Sequence, residues 1–156
     1  MLKKNIIIFY VTFITFFADR ISKYYILKTF DTDTVDYISI TSFLNFNLVL
    51  NKGIAFGLFS FDEQFYYNIL TVIIVLITSI VLLMAIKSSG IEKISFSLIF
   101  GGSLGNIFDR LSYSAVIDFI DIQINNFHWF IFNFADIFIS LGVIVLILLE
   151  FFKKKI

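Results

Sequence analysis

Few side chains in this sequence can do chemistry. Cys is absent and His128 is the one His, which removes thiol nucleophiles, thiolate metal sites and any His-rich metal centre. A Ser–His pair would rest on His128 alone, and a Ser–Lys pair on Lys23, but no Ser has a distinctive setting. Two carboxylates stand out: Asp118 in "VIDFID" and Asp136 in "FNFAD". Two carboxyls held close cannot both ionise, so one keeps a proton. The ionised partner can take a proton from water. The protonated one can polarise a carbonyl and then help the leaving amine depart. That chemistry is peptide hydrolysis with no metal and no covalent intermediate.

The elements that must position these residues are apolar. The chain has 156 residues, 59% of them hydrophobic and 15% charged, which is more apolar surface than a soluble domain of this size can hide. Several segments reach the ~20 apolar residues that span a bilayer as a helix. The fold class expected is therefore a mainly α membrane protein: four transmembrane helices with a small extracytoplasmic β-rich subdomain, in one integral domain over 1–156. The spans fall at about 5–27, 66–86, 94–111 and 132–152, the third being the shortest. Pro is absent, so no helix is broken by it. Lys3 and Lys4 before an apolar run have the look of a secretory signal. No small-residue cleavage site follows, however, and Asp19, Arg20 and Lys23 come instead, so the first helix should stay uncleaved.

Orientation follows from Lys and Arg. Lys3 and Lys4 precede the first span, Lys87 and Lys93 flank the short turn between the second and third, and Lys153, Lys154 and Lys155 follow the fourth. Four spans put all of these on one side. On the other side Lys28 and Lys52 are outnumbered by Asp31, Asp33, Asp36, Asp62 and Glu63, and the loop at 112–131 has no Lys or Arg. Both termini should be cytoplasmic. The outer segment at about 31–62 is rich in β-branched and aromatic residues and is interrupted by Asn51-Lys52-Gly53; it reads as short strands with a turn.

Ionisable groups in a spanning helix are expensive and usually face a partner or a wet cavity. Asp19 and Lys23 share a face of the first helix. Asn106, Asp109 and Arg110 share a face of the third. Asn133 and Asp136 begin the fourth, and Asp118 and Asp121 sit in the loop before it. All lie at the outer end of their elements, so the polar groups converge at one depth. Structural roles compete residue by residue. Asp19–Lys23 and Asp109–Arg110 read equally well as neutralising pairs; a helix-dipole partner is the lesser reading of Asp136. Asp121 reads as a solvated loop charge and His128, beside Trp129, as an interfacial anchor. Gly101 and Gly105 have the spacing that lets helices pack closely.

At these residues the chain resembles the lipoprotein signal peptidases, or signal peptidases II, over almost its full length and in motif order. "ADRISK" carries Asp19 and Lys23. "LNKGIAFGLF" carries Asn51, Gly53, Ala55 and Phe56. "GGSLGNIFDR" with "VIDFID" makes the third block and "FNFAD" the fourth. The resemblance implies Asp118 and Asp136 as catalytic residues. It further implies that Asn51, Asn106, Arg110, Asn133 and Asp19 bind or orient substrate, and that no metal or cofactor is needed. The implied partners are a prolipoprotein bearing a diacylglyceryl-modified Cys, cut just before that Cys, and membrane lipid; the implied setting is a bacterial cytoplasmic (inner) membrane, with a monomeric enzyme. In one departure from the family pattern, Phe130 stands where many relatives have Pro.

Two other classes remain to be separated. Buried Asp and Lys also serve proton relays, so a small transporter or proton-conducting protein is the main alternative. Against it, the charges gather at one face, and the span at 66–86 holds no ionisable group. In a scaffold, Asp118 and Asp136 would only stabilise the fold. The zero net charge gives no basic case for nucleic acid.

Overall fold

Long apolar segments dominate the chain, and helices result. A computed structural model describes residues 2–30, 37–53, 64–124 and 127–153. In it α1 runs Leu2–Phe30, α2 Gln64–Lys87, α3 Gly90–Tyr113 and α4 Phe134–Lys153. Three of them, Asn5–Phe30 within α1, Gln64–Lys87 and Phe134–Lys153, are long and apolar enough to cross a membrane. On α2, Val72, Leu76, Ile80 and Leu83 are all exposed, a greasy stripe that water would not tolerate. α3 is as long as α2 but carries Glu92, Lys93, Asp109 and Arg110 and is not among the three. Instead it packs against α1, α2 and α4.

Small residues make that central position possible. A Cβ at Gly105 would lie 2.6 Å from Asp19 Oδ2 on α1, and one at Gly102 would lie 2.6 Å from the Ala135 carbonyl oxygen on α4. Gly101 meets Thr12 and Thr15 of α1 in the same way. The expected Gly-x-x-x-Gly packing is thus present, with Gly101 and Gly105 turned to α1 and Gly102 to α4. At the opposite end, Lys93 is buried. Its Nζ donates to the Ala85 and Ile86 carbonyls at 2.6 and 3.2 Å, closing the C-terminus of α2 where carbonyls lack helical partners. Lys153 pairs with Glu92, tying the end of α4 to the start of α3.

The sheet has four antiparallel strands in the order β1 (Ile38–Ser39), β2 (Leu44–Asn51), β3 (Val116–Ile124) and β4 (Phe127–Phe132). Between β1 and β2, Thr41 Oγ1 accepts from the backbone N–H of Phe43 and Leu44 at 3.3 and 3.0 Å, a hydroxyl-built turn. At the end of β2 the Asn51 Oδ1 accepts the Gly53 N–H at 2.8 Å, so Asn-Lys-Gly does stop a strand. The remainder of the expected outer β-rich segment, 31–36 and 54–62, with Ala55, Phe56 and the acidic groups there, lies outside the described residues, as do Glu63, Lys154 and Lys155.

The segment at 112–131 is not the plain loop that its sequence suggests. It finishes α3 and then contributes β3 and most of β4, half of the sheet. Val116 to Asp121 are buried on both faces of β3. A strand covered on both sides needs no polar–apolar alternation, and Val116 to Ile120 show none; the alternation is confined to Ile120–Ile124, a short run at the far end of the strand. Ile117, Phe119 and Ile120 pack on Ile26 of α1, flanked by Leu27, Phe30, Leu44, Phe46 and Phe132. The sheet therefore sits on the end of α1. Asp121, expected to be solvated, is instead buried, with its Oδ2 2.8 Å from Nδ1 of the half-exposed His128 on β4.

Candidate active site

Two turns of chain deliver the carboxylates to one place. α3 ends at Tyr113 because Ser114 adopts a left-handed conformation (φ 54°), the usual way to terminate a helix and redirect the chain. Asp109 Oδ2 then accepts the Ile117 N–H at 3.2 Å, pinning the start of β3 to α3. Pairing with β2 sets Asp118 opposite Val49 and Val116 opposite Asn51. β4 returns antiparallel, with Phe132 opposite Ile120, and leaves Asn133 beside Asp118 as α4 begins. There Asn133 Oδ1 accepts the Asp136 N–H at 3.0 Å and Asp136 Oδ2 accepts the Asn133 N–H at 3.3 Å. This reciprocal pair is a capping box with Asp in its third helical position. Asp136 therefore caps α4 and faces the site at once.

Three Asn amides organise the pair. Asn51 Nδ2 donates to Asp118 Oδ2 at 2.9 Å, Asn133 Nδ2 to Asp118 Oδ1 at 2.6 Å, and Asn106 Nδ2 to Asp136 Oδ1 at 2.9 Å. Each amide oxygen meets a group that can only donate: the Gly53 N–H for Asn51, the Asp136 N–H for Asn133, and the Lys23 ammonium at 3.1 Å for Asn106. None of the three amides can flip without placing donor against donor. All four carboxylate oxygens thus accept from the protein.

Asp118 and Asp136 line one cavity of about 550 Å³, together with Asn51, Asn106 and Arg110. Burial pushes the Asp118 carboxyl up to about 7 and the nearby Asp136 charge pushes in the same direction, against the Asn51 and Asn133 hydrogen bonds and Lys23. A carboxyl in that range exchanges its proton near neutrality. Arg110 is buried, donates through Nη2 to the Gly53 carbonyl, and stands 5.3 Å from the Tyr67 ring centroid. Its Nε and Nη1 make no hydrogen bond among the described residues. A buried guanidinium with donors to spare, on a cavity wall, is equipped to hold a carbonyl oxygen.

Asp19 is placed differently from the other expected site residues. It is fully buried, it is not among the cavity-lining residues, and its Oδ1 accepts the Ala135 N–H at 3.1 Å in the first turn of α4. It bridges to Lys23 at 3.0 Å and Arg20 at 2.7 Å, and Asp109 bridges to the same two cations, each at 2.6 Å. Asp109 is thus neutralised by Arg20 and Lys23, not by its neighbour Arg110, since adjacent helical residues point about 100° apart. Residue spacing missed the remaining walls: Ile74, Ser103, Val116, Ile139, Ser140, Val143 and Ile144. Ser103 is three residues before Asn106 and Ser140 four after Asp136, so helical periodicity from the polar residues would have found both.

Fold and cavity define a class: a helical membrane protein with two carboxylates on a cavity lined by both polar and apolar side chains. The family Signal peptidase (SPase) II matches residues 11–152. The lipoprotein signal peptidase of Pelagibacter ubique (strain HTCC1062) is 50% identical over 97% of this chain and 90% of its own length. That of Francisella tularensis subsp. novicida (strain U112) is 40% identical over 99% and 98%. A bacterial membrane enzyme solved by the in meso method at 2.3 Å resolution superposes with a TM-score of 0.76 at 29% identity, covering 94% of this chain and 88% of that one. The chain belongs to the signal peptidase II family and is an aspartic peptidase.

Proposed function

We propose that this enzyme removes the signal peptide from prolipoproteins already anchored by a diacylglyceryl-modified Cys, cutting the peptide bond just before that Cys. Signal-peptide removal from lipoprotein precursors follows from family membership; the residue roles and the form of the substrate are our assignment. Asp118 and Asp136 share one proton. The ionised carboxylate takes a proton from water as the water oxygen attacks the scissile carbonyl carbon, and the protonated one donates to the carbonyl oxygen. When the tetrahedral intermediate collapses, the C–N bond breaks and the leaving nitrogen takes a proton from the pair. Asn51, Asn106 and Asn133 hold the two carboxyls in register. The free donors of Arg110 hold a substrate carbonyl, and Asp19 fixes the start of α4 and so the depth of Asp136.

The observation that carries this reading is the presence of both carboxylates on one cavity wall, coupled through Asn133, which touches each. In the proposed topology α3 is a fourth span, screened from lipid by α1, α2 and α4. Both termini then face the cytoplasm of a bacterial inner membrane, and the sheet lies on the outer surface, where a lipid-anchored bond arrives at the depth of the pair. The protein acts as a monomer in membrane lipid. Purified enzyme should cleave a lipidated precursor and leave its unlipidated form intact. Asp118→Asn and Asp136→Asn should insert normally and cleave neither. Appreciable processing by either variant removes that residue from the mechanism.

A further inference from the structure

Outside the cavity lining lies a set of four charges that take no part in the proton transfers above: the buried Asp19 and Lys23 and the partly exposed Arg20 of α1, and the buried Asp109 of α3. Two cations and two anions cancel, so neutralisation alone accounts for their sum. It does not account for where Lys23 points. An ammonium has three donors. Here one goes to Asp109 Oδ2, one to Asp19 Oδ1, and the third leaves the set to reach Asn106 Oδ1 at 3.1 Å. Arg20, by contrast, ends on the two carboxylates and lies over the Phe108 ring at 4.7 Å.

We infer that Lys23 is a positioning residue for the carboxylate pair: its ammonium fixes which way the Asn106 amide points, and so obliges Asn106 Nδ2 to donate to Asp136. An amide can rotate by half a turn at little cost when its neighbours accept either end. Asn106 has no such freedom. Its oxygen is held by Lys23 and by Asn133 Nδ2 at 3.2 Å, so the nitrogen has to meet Asp136 Oδ1 at 2.9 Å. The positive charge also acts on Asp118 directly. The groups that bear on Asp118 are Asp136 from α4, Lys23 from α1 and the amides of Asn51 and Asn133, with Arg110 of α3 on the same cavity wall. Lys23 itself meets Asp19 on its own helix and Asp109 across from it.

The catalytic half of this inference rests on the peptidase reading; the electrostatic half does not. Lys23→Met alone would leave a buried negative charge and could fail to fold, so the test is the charge-balanced double variant Lys23→Met/Asp109→Asn. It keeps the Arg20–Asp19 pair and an oxygen for the Ile117 N–H. It should insert and melt close to Asp109→Asn, yet turn over about 10²-fold more slowly at nearly unchanged KM, the scale of loss that misplacing a catalytic group by about an ångström produces. The limb of its pH–rate profile set by Asp118 should move to higher pH, because the lost ammonium had favoured the ionised carboxylate. The Asp118 carboxyl, followed by its infrared C=O band and assigned with Asp118→Asn, should likewise titrate above its value of about 7. A double variant with wild-type kcat and an unmoved Asp118 titration makes Lys23 a neutralising charge only. Asn106→Ala, which leaves all four charges in place, should lose a similar factor in kcat; if it keeps full activity, Lys23 has nothing to act through and the inference fails even should the double variant not fold. If wild-type enzyme cleaves no precursor, the peptidase reading is what falls, and the infrared titration still decides the role of Lys23.

Discussion

Burial takes the Asp118 carboxylate out of water and Asp136 adds negative charge nearby, which together raise its pKa from 3.8 to about 7. An acid made weaker by folding favours the native state when protonated and works against it when ionised. Its stabilising contribution is fully present below 3.8 and is lost as pH rises through about 7. Asp118→Asn should therefore gain thermal stability relative to wild type as pH is raised across that window, with a constant difference beyond it; detergent-solubilised melts at several pH values measure this. A difference that shrinks with rising pH would contradict the buried-acid account. The types and spacing of the candidate site residues were readable in the sequence. Their partners were not: Asp109 turned to Arg20 and Lys23, and Asp121 to His128, because ion pairing depends on how helices and strands rotate against each other.

Among the elements, α3 and α4 show how packing and chemistry separate. Gly102 and Gly142 are both contact points between these helices; a Cβ at either would lie 2.6 Å from a carbonyl oxygen, of Ala135 and Ser95 respectively. Adding a methyl group to such a contact costs about 1–3 kcal/mol. Gly102→Ala and Gly142→Ala should lower the melting temperature by similar amounts. Activity should part them. The Gly102 contact pushes on the residue next to Asp136, whereas Gly142 presses on α3 nearer its start, away from the carboxylates. Turnover measured on folded protein should drop several-fold more for Gly102→Ala; equal losses would mean that α4 moves as a rigid rod. Helix positions followed from hydropathy to within a few residues. β3 did not, since its first half is buried on both faces and carries no alternation, leaving only the short run Ile120–Ile124 to mark a strand.

At the scale of the molecule, one set of lysines and the polar cluster of the candidate site mark opposite ends. Lys87, Lys93 and Lys153 lie near the end of α2, the start of α3 and the end of α4, while Asp19, Asn106, Asp109 and Asp136 gather where α3 ends and α4 begins. The charges gather at the two ends of the helices, with none on α2 between Gln64 and Ile86, an arrangement that suits a surface site and offers no relay across a bilayer. With four spans, reporters fused at either terminus or inserted at Ser88–Ser89 should all report the cytoplasmic side. A C-terminal reporter on the outer side would mean that α3 does not cross.

The sequence by itself determined that this is a membrane protein, roughly where its helices lie, and which residues can take part in acid–base chemistry, because hydropathy and residue type are local properties. Only the tertiary structure decided that the segment at 112–131 completes a sheet, that Asp19 accepts the Ala135 N–H at the start of α4, and that Lys23 reaches Asn106. Those facts depend on register and helix rotation, which are set by packing between segments far apart in the chain.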